Sequence, residues 1–401
     1  MKAALTPLSK LAVGIAAGIG CTICAAHGLR ADPLRLRADA IGASSAPVGL
    51  LVLRGEDRLR PWLDAEAVAW VGASSTPDVT GDALVLTVRA RDLRGRGEVR
   101  VGRFVYTAGA IRPLHLDGGR LLARILSTGT AVEVFAGAPV APRFTARPYD
   151  MAWGGRVSQT AFGVLSFGAS YLQRHADGRL LSREVGPDLA ISPTNWLDFA
   201  GRAGFDLGSS SLTDALGSLA VRRGPWRAEA FATRRTAGRL LPATSLFSVL
   251  GDVPSTTTGL SLRVQAAPRL DLWATFAALS QGDDLGGYAT ARATLALDEG
   301  HDKTVGVEVR RQSFAAARWS GARLLVHLPF TRAFTTSAEL ELVGLETPLG
   351  PKLLPWALYV LSYRVSQEWS VSGALEFART RDERTEMHGL ARATWSFERI
   401  P

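Results

Sequence analysis

From Thr258 to Ser280 apolar and polar side chains alternate one by one. Leu260, Leu262 and Val264 interleave with Ser261, Arg263 and Gln265; after a break at Ala267-Pro268-Arg269, Leu270, Leu272, Ala274 and Phe276 interleave with Asp271, Trp273 and Thr275. A period of two sends the two sets to opposite faces of a strand, whereas a helix repeats every 3.6 residues. Each arm holds about ten residues, the length a tilted strand needs to cross a bilayer core, and the break suits an antiparallel hairpin. The pattern recurs. Val305, Val307 and Val309 alternate with Glu308 and Arg310; Phe199, Ala203, Phe205 and Leu207 stand against Arg202 and Asp206; Leu375 and Phe377 against Ser372 and Glu376. Each time the charges share one parity. An arginine facing lipid at mid-membrane costs about 2–4 kcal/mol, so this bias is what a polar lumen inside an apolar wall leaves in a sequence. The predicted fold is all-β, a transmembrane antiparallel β-barrel.

The short breaks at Arg223-Gly224-Pro225, Ala267-Pro268-Arg269 and Ser366-Gln367-Glu368 read as tight turns, and 281–287, 346–353 and 380–386 as longer polar connections. Counting back from the C-terminus places the three tight turns on one rim. Gly109 to Gly119 reads as an irregular turn. The longest connection, 236–258, falls on the opposite, outer rim and carries Leu240-Leu241-Pro242 through Leu250, apolar enough to fold inward as a plug or to pack over the rim. The 375 residues from 27 to 401, at roughly 20 per strand plus connection, predict about 18 strands, within a range of about 16 to 20.

Lys2 and Lys10 precede an apolar run from Leu11 to Ile23, the pattern of a secretory signal peptide over residues 1–26, cleaved after export through the Sec pathway. Residues 27–401 are then one barrel domain with its long outer loop at 236–258. Both cysteines, Cys21 and Cys24, lie in the leader, so the remainder has no disulfide, cysteine-bound metal or thiol nucleophile. No later apolar run reaches 18 residues, which argues against helical membrane spans.

The formal charge is +9, and after residue 26 the only lysines are Lys303 and Lys352. The arginines are scattered along strands without a basic helix or nucleic-acid motif, so no nucleic-acid partner is expected. Inside a barrel they bias the lumen toward anions. The candidate lumen-lining residues are Arg202, Arg263, Arg292, Arg310 and Arg364, with Asp206, Glu308 and Glu376 as counter-charges. Trp62, Trp153, Trp196, Trp226, Trp319, Trp356, Trp369 and Trp395 are candidates for interfacial girdles.

Enzyme chemistry finds little support. No histidine stands at metal-ligand spacing from another, Asp298 to Asp302 reads as a solvated turn, and there is no Walker loop or Gly-x-Ser-x-Gly elbow; no metal or cofactor is expected. A barrel hydrolase acting on lipid, using His327 or His388, is the enzymatic alternative and calls for a narrow barrel of about 8–12 strands.

Gly102-Arg103, followed by Arg112 and an Asp117-Gly118 turn, together with the leader, the segment from Leu241-Pro242 to Ser248 and the size, resembles porin-like outer-membrane barrels of Gram-negative exopolysaccharide secretion systems. The likeness is to myxobacterial ones in particular and, more distantly, to alginate-export-type porins. The resemblance implies a non-enzymatic outer-membrane channel that passes polar, anionic solutes or a sugar polymer and works beside a periplasmic polysaccharide export protein. A plugged docking barrel of a surface export machine is the other non-enzymatic reading. The chain departs from the pattern at its end, where Phe397 is followed by four more residues, Glu398 to Pro401.

Overall fold

The computed structural model describes residues 34–44, 48–73, 79–107, 109–111, 113–140, 150–235, 255–314, 317–347, 350–380 and 384–399. The expected leader, Arg112 and residues 236–254 of the long loop lie outside them.

Twenty-two strands form one sheet. They are β1 (Leu34–Ala43), β2 (Val48–Arg60), β3 (Leu63–Ala73), β4 (Val79–Arg91), β5 (Gly97–Tyr106), β6 (Leu114–Ile125), β7 (Thr130–Pro139), β8 (Met151–Ala161), β9 (Leu165–Ala176), β10 (Arg179–Thr194) and β11 (Leu197–Asp206). The second half continues with β12 (Ser211–Arg223), β13 (Trp226–Arg235), β14 (Ser255–Ala267), β15 (Leu270–Gln281), β16 (Asp284–Ala296), β17 (Thr304–Phe314), β18 (Ala317–Pro329), β19 (Phe334–Thr347), β20 (Gly350–Arg364), β21 (Trp369–Arg379) and β22 (Thr385–Arg399). Every strand pairs antiparallel with the next. The last returns to the first, with Leu34 opposite Arg399 and Ala43 opposite Leu390, so the sheet closes. The residues after Phe397 do not spoil closure, since Phe397 stands opposite Leu36 and Glu398 opposite Arg35 within that ladder.

The count of 22 corrects the expected 18, and the reason lies in the connections. Several hairpins turn in two residues, at Asp177-Gly178, Gly224-Pro225, Pro268-Arg269 and Gly282-Asp283. Asp177 and Gly178 both have positive φ, 49° and 71°, the backbone that matches the twist of the flanking strands. Segments that read as loops are strand: Leu114–Gly119 opens β6, Asp284–Gly287 opens β16, and Gly350–Leu353 opens β20. Asp117-Gly118 is therefore not a turn. Asp117 stands opposite Arg103 and takes a two-pronged hydrogen bond from its guanidinium at 2.8 and 2.9 Å.

The alternation sorts as expected. Leu260, Phe276, Val307, Val309, Phe199, Phe205, Leu375 and Phe377 are all exposed on one face, while Glu308 is buried on the other. The β12–β13, β14–β15 and β20–β21 turns share the rim where β1 begins and β22 ends, as the strand order requires.

One part of the charged face is covered from within. Phe104, Tyr106, Ile111, Leu114, Leu116, Phe135, Ala152 and Leu172 form a buried cluster that an open barrel wall cannot bury. The cover is the β5–β6 connection. Gly109 lies against Ser170, Asp188 and the Arg156 guanidinium, and Ala110 against Gly186, so residues 109–111 cross onto β8–β10. Gly109 has φ +55°, and a methyl group there would collide with those side chains, so the inward path depends on glycine. Peeling β5 inward shortens its ladder with β4, which ends where Leu86 faces Arg103. Two side chains cap the carbonyls left beyond it: Arg103 donates to Ala83 at 2.8 Å and His115 to Leu84 at 2.6 Å.

Close backbone approach at Gly118 gives a test. A side chain there would strike the Ala136 carbonyl and Gly137, whereas Gly217 has open space. Gly118→Val is expected to destabilise the barrel by about 1–3 kcal/mol and to lower its unfolding temperature in semi-native electrophoresis, with Gly217→Val close to wild type. Equal transitions for the two variants would contradict this packing.

Candidate functional site: the charged face of the barrel

The charged face is organised as cross-strand ion pairs. Asp39 accepts from Arg37 at 2.9 Å, Arg392 at 2.7 Å and the Thr394 hydroxyl at 2.6 Å, tying the closing strands together. Asp64 is within 2.9 Å of Arg89, 3.4 Å of Arg58 and 3.5 Å of Arg91. Arg120 bridges Glu98, at 3.0 Å, and Glu133. Beneath the inward connection Arg156 pairs with Asp188 at 2.5 Å, and Arg174 pairs with Glu184, both almost wholly buried. Asp64 meets Arg58 and Arg89 directly opposite on its two neighbouring strands, where Cβ atoms stand about 4.5–5.5 Å apart, and long side chains such as Arg120 and Arg392 reach diagonal partners.

Strand register also lines up one row across eight strands. Arg227, Arg263, Trp273, Arg292, Glu308, Arg323, Glu341 and Trp356, on β13 to β20, each stand directly opposite the next. Trp273 sits between Arg263 and Arg292. This segment of the row borders a cavity of about 590 Å³ with Glu229 and Asp271. A second cavity, about 340 Å³, lies between Arg35, Arg54, Glu56, Asp64, Arg89 and Arg100.

The residues singled out in the sequence have distinct environments. Arg263 donates to Asp271 at 3.3 Å and Arg292 to the Thr294 hydroxyl at 3.2 Å. Arg310 is held between Glu308, at 3.4 Å, and Glu341. Arg202 is 3.8 Å from Asp214. Glu376 accepts the Trp356 indole N–H at 2.7 Å. Arg364 ends β20, opposite Ser370, on the parity of Trp356. Asp206 accepts backbone N–H bonds from Gly208 at 2.7 Å and Ser209 at 3.3 Å, fixing the β11–β12 turn. Register thus brings Arg263 and Arg292 to one cavity and leaves Arg202, Asp206, Arg364 and Glu376 apart.

Sequence reasoning missed Arg100, Arg120, Arg156, Arg174 and Glu184. Parity alone puts them on the charged face of β5, β6, β8, β9 and β10, but the start of β6 has the composition of a turn and nothing local announces the inward connection. Two tryptophans also depart from the girdle assignment. Trp319 and Trp356 lie on the charged face beneath the guanidinium groups of Arg310 and Arg323, 5.4 and 5.9 Å from the ring centres. Trp62, Trp196, Trp226, Trp369 and Trp395 do gather at the rim where the chain enters and leaves the barrel, and Trp153 at the other.

His327 lies 2.8 Å from the Ser337 hydroxyl through Nδ1, a serine–histidine pair that sequence could not show. Among the described residues no carboxylate hydrogen-bonds that ring. His388 is 3.4 Å from Glu386. Asp298 accepts the Lys303 N–H at 3.0 Å as part of a turn, and no cluster of metal-ligating side chains occurs among the described residues.

No protein-family model and no curated protein matches the sequence. Among solved structures, the chain is similar to the translocation pore of the P pilus usher PapC, at 10% identity over 91% of this chain and 99% of that one, with a TM-score of 0.47. It is also similar to a chain of the E. coli P pilus tip assembly intermediate PapC-PapD-PapK-PapG, at 10% identity and a TM-score of 0.51. That match covers 92% of this chain and 62% of the other. A third is Pseudomonas aeruginosa OccK2 in complex with glucuronate, at 10% identity over 92% and 98% of the two chains, with a TM-score of 0.42. At such identities the likeness concerns the fold alone, a large closed antiparallel β-barrel.

The Arg174–Glu184 pair offers a stability test. Removing one partner takes a paired opposite charge away from a buried side chain, so Arg174→Met is expected to cost about 3–5 kcal/mol. Adding Glu184→Leu to it should recover most of the loss. The check is the urea midpoint of the folded barrel; a double variant no better than the single one would show that the pair does not act as a unit.

Proposed function

We propose that the protein is a passive outer-membrane channel whose charged face lines a water-filled lumen and whose apolar face meets lipid. The observation that carries this reading is the closed sheet of 22 strands with ion pairs on one face and bare apolar side chains on the other. Strands about 4.8 Å apart and tilted about 40° give a backbone diameter of about 45 Å, too wide for wall side chains alone to fill. The hydrolase alternative called for about 8–12 strands, and a sheet of 22 removes its premise.

Arginine outweighs acid along the chain, and several guanidinium groups on the charged face are solvated, with the Arg263 side chain 63% exposed. Such groups attract anions without being fully neutralised by the wall. The solutes are therefore polar and anionic, and export of an acidic sugar polymer beside a periplasmic polysaccharide export protein is the specific role we assign. The inward segment at 109–111 favours a second reading, a barrel narrowed or plugged to serve as a docking platform.

Planar-bilayer recording of the purified, heat-modifiable protein separates these readings. Stable steps with an anion-leaning reversal potential are expected; silence from a folded barrel would favour the platform. Arg263→Ser with Arg292→Ser should cut the anion-to-cation permeability ratio at least twofold. Arg310→Ser, which removes the cation shared by buried Glu308 and half-buried Glu341, should instead lower stability. Unchanged selectivity in the Arg263/Arg292 variant would remove both residues from the conduction path.

A further inference from the structure

Trp273 differs from Trp319 and Trp356, which share the charged face with it. Trp319 and Trp356 each carry a guanidinium over the ring, whereas among the described residues none lies over Trp273. Its indole N–H donates to the Ser261 hydroxyl at 2.9 Å, which fixes the ring by its edge and leaves a face free. The ring is more than a third exposed and borders the 590 Å³ cavity. Arginines stand directly opposite it on both neighbouring strands, and Arg227 stands opposite Arg263 one strand further.

Like charges directly opposite are unfavourable in a sheet, so this arrangement is not one that wall stability selects. Asp271 and Glu229 offset two of the arginines, at 3.3 and 2.8 Å, whereas among the described residues Arg292 pairs with the Thr294 hydroxyl and no carboxylate. The cavity therefore offers a flat aromatic surface, an arginine fork with unspent charge, and carboxylates able to accept hydrogen bonds from hydroxyl groups.

We propose that this cavity is a binding site for one ring of a sugar acid, its C–H face stacked on Trp273 and its carboxylate held by Arg292 and Arg263. The apolar face of a pyranose fits the electron-rich face of an indole. Arginine binds carboxylate through paired, charge-assisted hydrogen bonds. Asp271 and Glu229 select for hydroxyl groups on the ring: they would accept from a sugar and repel an aromatic carboxylate that has no such donors. The site rests on the channel reading for its purpose, but its occupancy does not depend on conduction.

The test is isothermal titration of the full barrel in detergent with a trimer of galacturonic acid. Wild type should bind it at least tenfold more tightly than maltotriose, and Trp273→Ala should lose at least tenfold in affinity. Trp273→Phe, which keeps a flat ring, should recover part of that loss, and Trp319→Ala, remote from the cavity, should bind as wild type. Absence of binding by folded wild type, equal affinity in Trp273→Ala, or competition by benzoate as strong as by the uronate would overturn the site. A barrel that binds in this way yet is silent in bilayers would keep the site and refute the channel; one that conducts without binding would do the reverse.

Discussion

Closure of the sheet is the constraint on which the other features depend. In hydrocarbon there is no water to pair with backbone N–H and C=O groups, and a sheet satisfies them all only when its last strand returns to its first. Here β22 meets β1 along the whole of β1, and the joint is reinforced by Asp39, which gathers Arg37, Arg392 and Thr394 from three directions. Once the sheet is closed, every strand has an inside and an outside, and a residue's parity decides its solvent. Where the β4–β5 ladder stops early, Arg103 and His115 take over the carbonyls that the peeled strand leaves.

The charged face balances two demands. A wall of isolated arginines would repel itself, so many are held by nearby carboxylates, and the two most enclosed among the ion pairs, Arg174 with Glu184 and Arg156 with Asp188, are each paired. Toward the row around Trp273 the compensation thins and the arginines become solvated. Structural pairing and a surplus free to attract ligand thus occupy different sectors of one face.

Much of this was legible in the sequence, and the physical reason is local. Alternation at 258–280, 304–311, 199–207 and 371–378 depends on neighbours two residues apart, so the strands, their faces and the shared rim of the tight turns could be read directly. The strand number could not, because it depends on connection length: Asp177-Gly178 and Gly282-Asp283 close in two residues, and Leu114–Gly119, with its proline and glycines nearby, looks like a turn while lying in a strand. The candidate site was legible by parity and illegible by register. Arg263, Trp273 and Arg292 are each on the charged parity in the sequence, but that they stand side by side is set by three hairpin registers, and that Gly109 reaches Ser170 and Asp188 is set by a segment crossing three strands.

The central claim is that the charged parity faces water inside the wall. Because no cysteine occurs after Cys24, single cysteines introduced along β14 and β15 can be probed one at a time in bilayer vesicles with a charged, water-soluble thiol reagent and, in separate samples carrying a fluorophore attached before the barrel is refolded, with a lipid-borne quencher. The account requires strict alternation: positions 261, 263 and 273 react with the reagent and escape the quencher, while 260, 274 and 276 do the opposite. Reversed or absent alternation would contradict it.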